Sequence, residues 1–238
     1  MLVDGIVGSR EEGTPQGGPL SPLLSNLLLD EWDQELEARG HRFVRYADDC
    51  NIYVRSERAG QRVLTSVTDW LSRRLRLKVN ATKSGVAKPS ASKFLGFSFT
   101  GGKEPRRRIA PKALKRLRER VRDLTRRTRG VSLDRVVDDL RQYLVGWRSY
   151  FGFCQTPSVL ADQDKWIRRR LRSFQWKQWK RGPVRYRQLR ARGVSPEDAA
   201  KGAAGRSPWA ASGRTGLHIA LPNTHLDSLG LPRLAPCR

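Results

Sequence analysis

The fold of this chain is decided by residues 42–54, which read RFVRYADDCNIYV. Two short runs rich in aromatic and β-branched residues, 42–46 and 51–54, flank the polar centre Ala47-Asp48-Asp49-Cys50, and this pattern predicts a β-hairpin. Two adjacent carboxylates at a tight turn repel each other unless a cation offsets their charge. The sequence therefore predicts either a divalent-metal site, because Mg²⁺ prefers such hard oxygen ligands, or a plain surface turn, where aspartate is common.

Helices are predicted on both sides of this hairpin. Before it, Ser21 as N-cap and Pro22 at the first helical position begin a helix that ends at Gly40. After it, Ser56 caps a second helix, and further strands are predicted over 76–79 and 93–99. Helices packed on one face of an antiparallel sheet make an α+β fold. The apolar seam of the first helix is Leu24, Leu27, Leu28, Trp32 and Leu36, and that of the second is Val63, Val67, Trp70, Leu71 and Leu75.

A turn-rich joint at 101–105 separates this part from a second, helical part. Amphipathic helices are predicted at about 111–128, 132–151 and 158–180, and they can form a small bundle. The seam of the middle helix includes Trp147, for which core packing is favoured over contact with a ligand. The last 40 or so residues are rich in Gly, Ala and Pro and lack periodicity, so they yield no structural prediction.

Positive charge is concentrated in the second part of the chain. The 238 residues carry a formal net charge of +24, of which +2 falls in residues 1–99 and +22 in residues 100–238. The strong positive charge of residues 100–238 predicts a polyanionic binding partner. Nucleic acid is the favoured partner because Trp, Tyr and Phe are interleaved with the arginine runs. The alternatives are an arginine-rich composition set by a GC-rich genome and, more weakly, an anionic membrane surface.

Several classes of protein are excluded. The longest apolar runs, such as Leu27-Leu28-Leu29, are too short to cross a bilayer, and the N-terminus shows no secretory signal. The three cysteines, Cys50, Cys154 and Cys237, are odd in number and have no Cys-x-x-Cys spacing, which excludes a disulfide mini-protein and a zinc finger. We therefore expect a protein of the reducing cytoplasm with no membrane partner.

An ordered set of motifs resembles the later palm motifs of reverse transcriptases. The set is GTPQGGPLSP at 13–22, YADD at 46–49, NATKS at 80–84 and FLGF at 94–97. It is most similar to the group II intron-encoded reverse transcriptase/maturase family. GWRSYF at 146–151 is similar to the thumb and maturase domain of that family, and LHIALPN at 217–223 and LGL at 229–231 resemble its tail. The order of several motifs is more specific than any one of them.

The resemblance implies three regions: a partial polymerase palm over 1–100, a thumb and maturase helical region over 101–180, and a maturase C-terminal tail over 181–238. It implies that Asp48 is a metal ligand and Asp49 its acidic neighbour in a two-metal Mg²⁺ site for nucleotidyl transfer. Residues implied to contact nucleotide or template are Tyr46, Ala47, Gln16, Gly17, Gly18 and Lys83, and Leu95 and Gly96 match the turn that grips the primer.

Plainer interpretations stay open for several of these residues. The glycine-containing loop 16–18 also fits a turn before a helix, Lys83 a solvated lysine, and the Leu95-Gly96 pair a bulge in a core strand. Basic runs are the candidates for contact with the RNA backbone, and binding through them would weaken steeply with salt. These candidates are Arg106, Arg107, Arg108, Arg126, Arg127, Arg168, Arg169, Arg170, Lys177, Lys180 and Arg181.

One departure from the family concerns the first catalytic aspartate, which lies on an earlier palm strand. Only twelve residues precede Gly13, and Asp4 is too close to replace it, so we expect that this aspartate and the fingers are lacking. The expected partners are intron RNA, an RNA template with a DNA primer, deoxynucleotides, and a separate chain that carries the N-terminal half. Three hypotheses follow: an RNA-directed DNA polymerase and maturase, a non-catalytic splicing factor that binds intron RNA, and an inactive fragment.

Overall fold

The computed structural model of the chain describes residues 2–3, 6–7 and 19–236. Two compact units divide at one point of the chain, Met1–Phe94 and Leu95–Arg238. The described residues contain three antiparallel strand pairs and ten helices, which makes the fold α+β. The first strand pair joins β1 (Leu2–Val3) to β2 (Ile6–Val7). No helix of the described residues has the length and apolar character needed to span a membrane.

The first unit packs two helices against a hairpin. Helix α1 (Ser21–Ala38) precedes strands β3 (Arg42–Tyr46) and β4 (Asp49–Tyr53), and helix α2 (Glu57–Arg74) follows them. Alternation along the strands turns every second side chain inward. The core consists of Leu29, Trp32, Leu36, Val67 and Leu71, with Phe43, Cys50 and Ile52 of the hairpin packed against it.

The predicted start and apolar seam of α1 need correction. The N-cap is Leu20, and Ser21 is the first helical residue, so the predicted cap is one residue too late. The end at Gly40 is confirmed: its φ is +69°, and backbone bonds from Gly40 N–H to the Glu37 carbonyl and from His41 N–H to the Leu36 carbonyl close the helix. Leu24 and Leu27 are 48% and 63% exposed, so only the second half of the predicted seam enters the core.

The second helix confirms its predicted cap, whereas the strand predicted after it is wrong. The Ser56 side chain accepts a hydrogen bond from the Ala59 N–H at the start of α2. Residues 76–79 form no strand. The reason is local geometry: Arg76 has φ +55°, and the Leu77 N–H bonds back to the Leu71 carbonyl. The chain therefore folds back onto α2, where Leu77 and Val79 still pack against the core.

The second unit contains one strand pair and three long helices that confirm the predicted bundle. Strands β5 (Phe97–Phe99) and β6 (Arg107–Ile109) precede α3 (Pro111–Leu124), α4 (Leu133–Phe151) and α5 (Pro157–Gln178). Helix α3 ends four residues before the prediction, since the Thr125 hydroxyl donates back to the Val121 carbonyl. The shared core includes Leu117, Val121, Leu140, Leu144, Trp147, Ile167 and Leu171, so the packing role of Trp147 is confirmed.

Five short helices, which the sequence did not predict, follow this bundle. They are α6 (Gly182–Arg190), α7 (Pro196–Ala203), α8 (Pro208–Ala211), α9 (Thr215–Ala220) and α10 (Asn223–Ser228). Apolar side chains of α6 to α9 form a second cluster around Trp176 and Trp179 at the end of α5, whereas Leu226 of α10 joins the core of the long helices. The Trp176 indole N–H donates to the Gly202 carbonyl at 3.0 Å, so the buried ring is also hydrogen-bonded.

Candidate functional site

The Asp48-Asp49 pair lies at the tip of the β3–β4 hairpin. Tyr46 pairs with Asp49 across the strands, which leaves a two-residue turn of Ala47 and Asp48. The predicted hairpin is confirmed, but its second strand begins two residues earlier than predicted. Both aspartates are exposed, and Asp49 shares the outward face of the hairpin with Tyr46, which is 64% exposed.

A half-buried arginine, Arg45, holds this turn in a strained shape. Ala47 has φ +51°, a left-handed conformation that costs roughly 1–2 kcal/mol for a residue with a Cβ. The Arg45 guanidinium donates to the Ala47 carbonyl at 3.0 Å and to both oxygens of Asp33 on α1. Hydrogen bonding to Asp33 raises the pKa of Arg45, so the guanidinium stays charged. The turn is therefore fastened to α1 through Arg45 and Asp33, two residues that the sequence did not single out.

Cys50, which follows the aspartate pair, has an unreactive thiol. Cys50 faces the core across from Arg45, and its thiol pKa is raised to about 11, first by burial and then by the charge of Asp33. The thiol is therefore protonated at neutral pH and is not a nucleophile. The chemistry at this tip rests on the two outward carboxylates.

The carboxylates at the tip are ligands of the kind that a hard cation prefers, but two of them are too few to complete its coordination shell. Arg45 is engaged by Asp33, so the strongest nearby positive charge does not neutralise Asp48 or Asp49. Carboxylate oxygens are the ligands that Mg²⁺ prefers. In the described part of the chain, however, no three or more His, Cys, Asp or Glu side chains come together as a metal-binding group. The two aspartates can thus supply part of a coordination shell.

The other residues predicted to contact nucleotide or template are Gln16, Gly17, Gly18 and Lys83. Gln16, Gly17 and Gly18 lie outside the described residues. Lys83 is exposed in the turn that follows the chain segment after α2, where its N–H bonds to Asn80. The roles of these four residues stay predictions.

The Leu95-Gly96 pair forms a turn, and only residues 97–99 of the strand predicted over 93–99 are extended. Leu95 has φ +49° and Gly96 φ +79°, which no regular strand permits. The Tyr150 hydroxyl donates to the Leu95 carbonyl at 2.9 Å, and the Ala110 N–H donates to the Gly96 carbonyl at 2.9 Å. The turn is therefore held by hydrogen bonds from two other elements of the second unit.

Aromatic rings from the end of α4 surround this turn. The ring of Phe151 lies 5.2 Å from that of Phe97 and 4.7 Å from that of Trp147. A Cβ placed on Gly96 would lie 3.1 Å from two Phe151 ring carbons, closer than ordinary van der Waals contact. Residues 95–97 of the FLGF motif and the GWRSYF motif, which lie far apart in sequence, are thus packed together in the second unit. The sequence showed both motifs but not their contact.

The predicted RNA-binding residues differ in how accessible they are. Arg106, Arg126, Arg127, Lys177, Lys180 and Arg181 are exposed. The half-buried Arg107, Arg169 and Arg170 lie over the rings of Phe153, Trp209 and Trp166, and half-buried Arg108 donates to the Ser98 hydroxyl. Arg168 is the exception and needs correction: it is 4% exposed and pairs with Asp164 and Asp227 at 3.3 and 2.7 Å. Its guanidinium is committed to the core and has no access to a phosphate.

Comparison with known proteins gives two family matches in one chain. Residues 8–99 match the reverse transcriptase (RNA-dependent DNA polymerase) family, and residues 114–193 match the group II intron maturase-specific domain. A 35-residue stretch is 54% identical to Protein YkfC of Escherichia coli (strain K12), and it covers 15% of this chain and 9% of that protein. The two matches, one after the other in the same chain, together support a group II intron reverse transcriptase/maturase, the family that the sequence motifs resemble.

Proposed function

We propose that the chain takes part in RNA-directed DNA synthesis and in intron RNA binding. In this proposal the first unit belongs to a polymerase palm, and the second is the thumb and maturase part. The observation that supports it best is the outward Asp48-Asp49 pair on a turn that Arg45 and Asp33 hold in place. The Arg45 contacts hold two exposed like charges next to each other on a strained turn, and a plain surface turn does not need such contacts.

The reaction would be nucleotidyl transfer. The primer 3′-hydroxyl loses its proton and attacks the α-phosphorus of a deoxynucleotide, a P–O bond forms, and the bond to the leaving pyrophosphate breaks. Bound Mg²⁺ would stabilise the attacking and leaving oxygens. Asp48 and Asp49 would hold it as two of its carboxylate ligands, with Tyr46 beside the nucleotide on the same outward face.

The Leu95-Gly96 turn would position the primer end in this reaction. Its two carbonyls accept hydrogen bonds from Tyr150 and Ala110, and the ring of Phe151, which packs on Phe97 and Trp147, lies against Gly96. Positioning of the reacting groups supplies much of the rate enhancement in phosphoryl transfer. A rigid turn near the primer is therefore useful, and its aromatic support would explain the GWRSYF motif.

Primer extension on an RNA template with Mg²⁺ and deoxynucleotides tests the catalytic proposal. We expect Asp48→Asn and Asp49→Asn each to abolish extension, because each removes a charge that binds the cation. The matched control is Glu37→Gln, which removes an exposed carboxylate from α1 of the same unit. Extension that survives in both aspartate variants would overturn the role given to the pair.

The second candidate function is a splicing factor that binds intron RNA without catalysis. The observation in its favour is the second unit, which has its own core and matches the maturase-specific domain without using the aspartate pair. This candidate predicts no primer extension by the wild-type chain. It also predicts that Asp48→Asn leaves RNA affinity and splicing unchanged, and a large loss of either in that variant would exclude it.

A further inference from the structure

Arg122, Arg170 and Trp166 form a cluster at the junction of α3 and α5 in the second unit, and the charge of Arg127 acts on Arg170 from the loop after α3. The guanidinium carbons of Arg122 and Arg170 lie 5.9 and 5.4 Å from the centre of the Trp166 ring. Arg127 lies in the loop after α3 and is exposed. Neither Arg122 nor Trp166 was among the residues that the sequence suggested for RNA binding.

Arg170 is anchored at the centre of this cluster. Its Nε donates to the Thr125 hydroxyl at 2.6 Å, and its Nη2 reaches the Arg122 carbonyl at 3.4 Å. These bonds and the Trp166 ring fix the direction of a half-buried guanidinium. A preorganised arginine loses little conformational freedom when it binds an oxyanion, which favours bidentate contact with phosphate.

The positive charge of the cluster is not balanced locally. Burial lowers the pKa of Arg170, and the charges of Arg127 and Arg122 lower it further. Among the described residues, none of the three guanidiniums has a carboxylate within ion-pair distance. Elsewhere in the same unit, exposed lysines do have such partners: Lys115 with Glu119, Lys165 with Asp162, and Lys201 with Glu197. The cluster therefore concentrates charge that an external anion would stabilise.

We propose that Arg122, Arg127 and Arg170 form a binding site for the phosphodiester backbone of an RNA strand, with Trp166 orienting two of the guanidiniums. The inference rests on the proposed RNA-binding function and assigns that function to one surface. It also separates this surface from neighbouring arginines of similar sequence context. Arg168, two residues before Arg170, is excluded because it is buried against Asp164 and Asp227.

The test is the salt dependence of RNA binding by the full chain. Binding of a labelled single-stranded RNA is measured by fluorescence anisotropy at several potassium chloride concentrations. The triple variant Arg122→Gln/Arg127→Gln/Arg170→Gln is compared with Lys115→Gln/Lys165→Gln/Lys201→Gln. Each triple variant removes three positive charges, but the control removes lysines that already have a carboxylate partner.

We expect the cluster variant to lose more than tenfold in affinity and to reduce the slope of log affinity against log salt by about 2, because each phosphate contact on a single strand contributes roughly 0.7 to it. The control variant should change the slope by much less. Equal slopes for the two variants would overturn the inference. A wild-type chain that does not bind RNA would instead overturn the proposed function itself, so the two failures are distinguishable.

Loss of folding cannot imitate this result in the single variant Arg127→Gln. The Arg127 side chain is exposed and lies in a loop, whereas Arg170→Gln also removes a hydrogen bond to Thr125. We expect Arg127→Gln to reduce the slope of log affinity against log salt by roughly 0.7, the contribution of one phosphate contact. The melting curve measured by circular dichroism should be unchanged. Competition with an RNA·DNA duplex shows whether the site prefers a single strand or a duplex. Inorganic phosphate is a second competitor, and equal displacement of RNA from both triple variants would contradict a site at the cluster.

Discussion

Gly96→Ala should destabilise the second unit far more than the same change at Gly130. Both glycines have left-handed φ values, +79° and +70°, so both substitutions impose the same backbone strain of roughly 1–2 kcal/mol. The two sites differ in the room that they leave for the new Cβ atom. The new Cβ at residue 96 meets two ring carbons of Phe151 at 3.1 Å, whereas nothing lies within 4 Å of a Cβ at residue 130.

The crowding at residue 96 cannot be relieved by a simple rotation of Phe151. Its ring packs against Phe97, Tyr150 and Trp147, with centroid distances of 5.2, 4.8 and 4.7 Å. Insertion of an extra carbon into such a packed site costs about 1–3 kcal/mol. We therefore expect Gly96→Ala to lower the free energy of unfolding by about 2–5 kcal/mol, and Gly130→Ala by about 1–2 kcal/mol.

Urea unfolding followed by far-ultraviolet circular dichroism and tryptophan fluorescence measures both values in one transition, because both glycines belong to the second unit. In the Phe151→Leu background the extra cost at residue 96 should shrink, since the crowding ring is gone. Values for Gly96→Ala and Gly130→Ala that agree within about 0.5 kcal/mol would refute the reasoning, because independent sites add to within that margin. They would mean that the turn is free of the aromatic cluster.

Three further predictions concern ion pairs and a cap. Arg168→Met leaves the buried Asp164 without its ion-pair partner and leaves Asp227 with Arg233 alone. It should cost about 3–5 kcal/mol of unfolding free energy, whereas a loss below 1 kcal/mol would show that the pairs are not structural. Burial alone would raise the pKa of Asp227, but hydrogen bonds and charge from Arg233 and Arg168 lower it. The resulting stability is present above the unfolded pKa of about 3.9 and is lost as the pH falls below it, so Asp227→Asn should flatten the acid limb of a pH–stability curve. Ser56→Ala should lower the free energy of unfolding by about 1 kcal/mol in the same urea assay, because α2 loses its N-cap. An unchanged free energy of unfolding in this variant would contradict the capping role of Ser56.

Local pattern was sufficient for the elements whose side chains alternate or recur strongly. The hairpin at 42–53, the five long helices and the cap at Ser56 follow from periodicity and capping chemistry, which act within a few residues. The strand predicted at 76–79, and the first part of the strand predicted at 93–99, are wrong because a positive φ at Arg76, Leu95 and Gly96 turns the chain. Apolar content in those segments indicated burial correctly, but burial alone does not distinguish a strand from a turn packed on a core.

The tail and the support of the site depended on distant partners. The last five helices are short, and packing stabilises them rather than their own periodicity: α6 to α9 pack around Trp176 and Trp179, and α10 packs on the core of the long helices. Likewise, the Asp48-Asp49 motif could be found in the sequence, whereas its fastening by Arg45 and Asp33 could not. Asp33 is one of several acidic residues on α1, and no local signal distinguishes the one that meets an arginine 12 residues away.

The sequence by itself determined the family, through motifs whose residue types and order are set by the chemistry they perform, and it determined the charge that predicts a nucleic-acid partner. Only the tertiary structure decided which arginines are available. Arg168 and Arg170 stand two residues apart on α5, yet one is an internal ion-pair partner and the other is anchored beside Trp166. The reason is physical: successive residues of a helix point in different directions, and what each one meets depends on elements that lie far away in the chain.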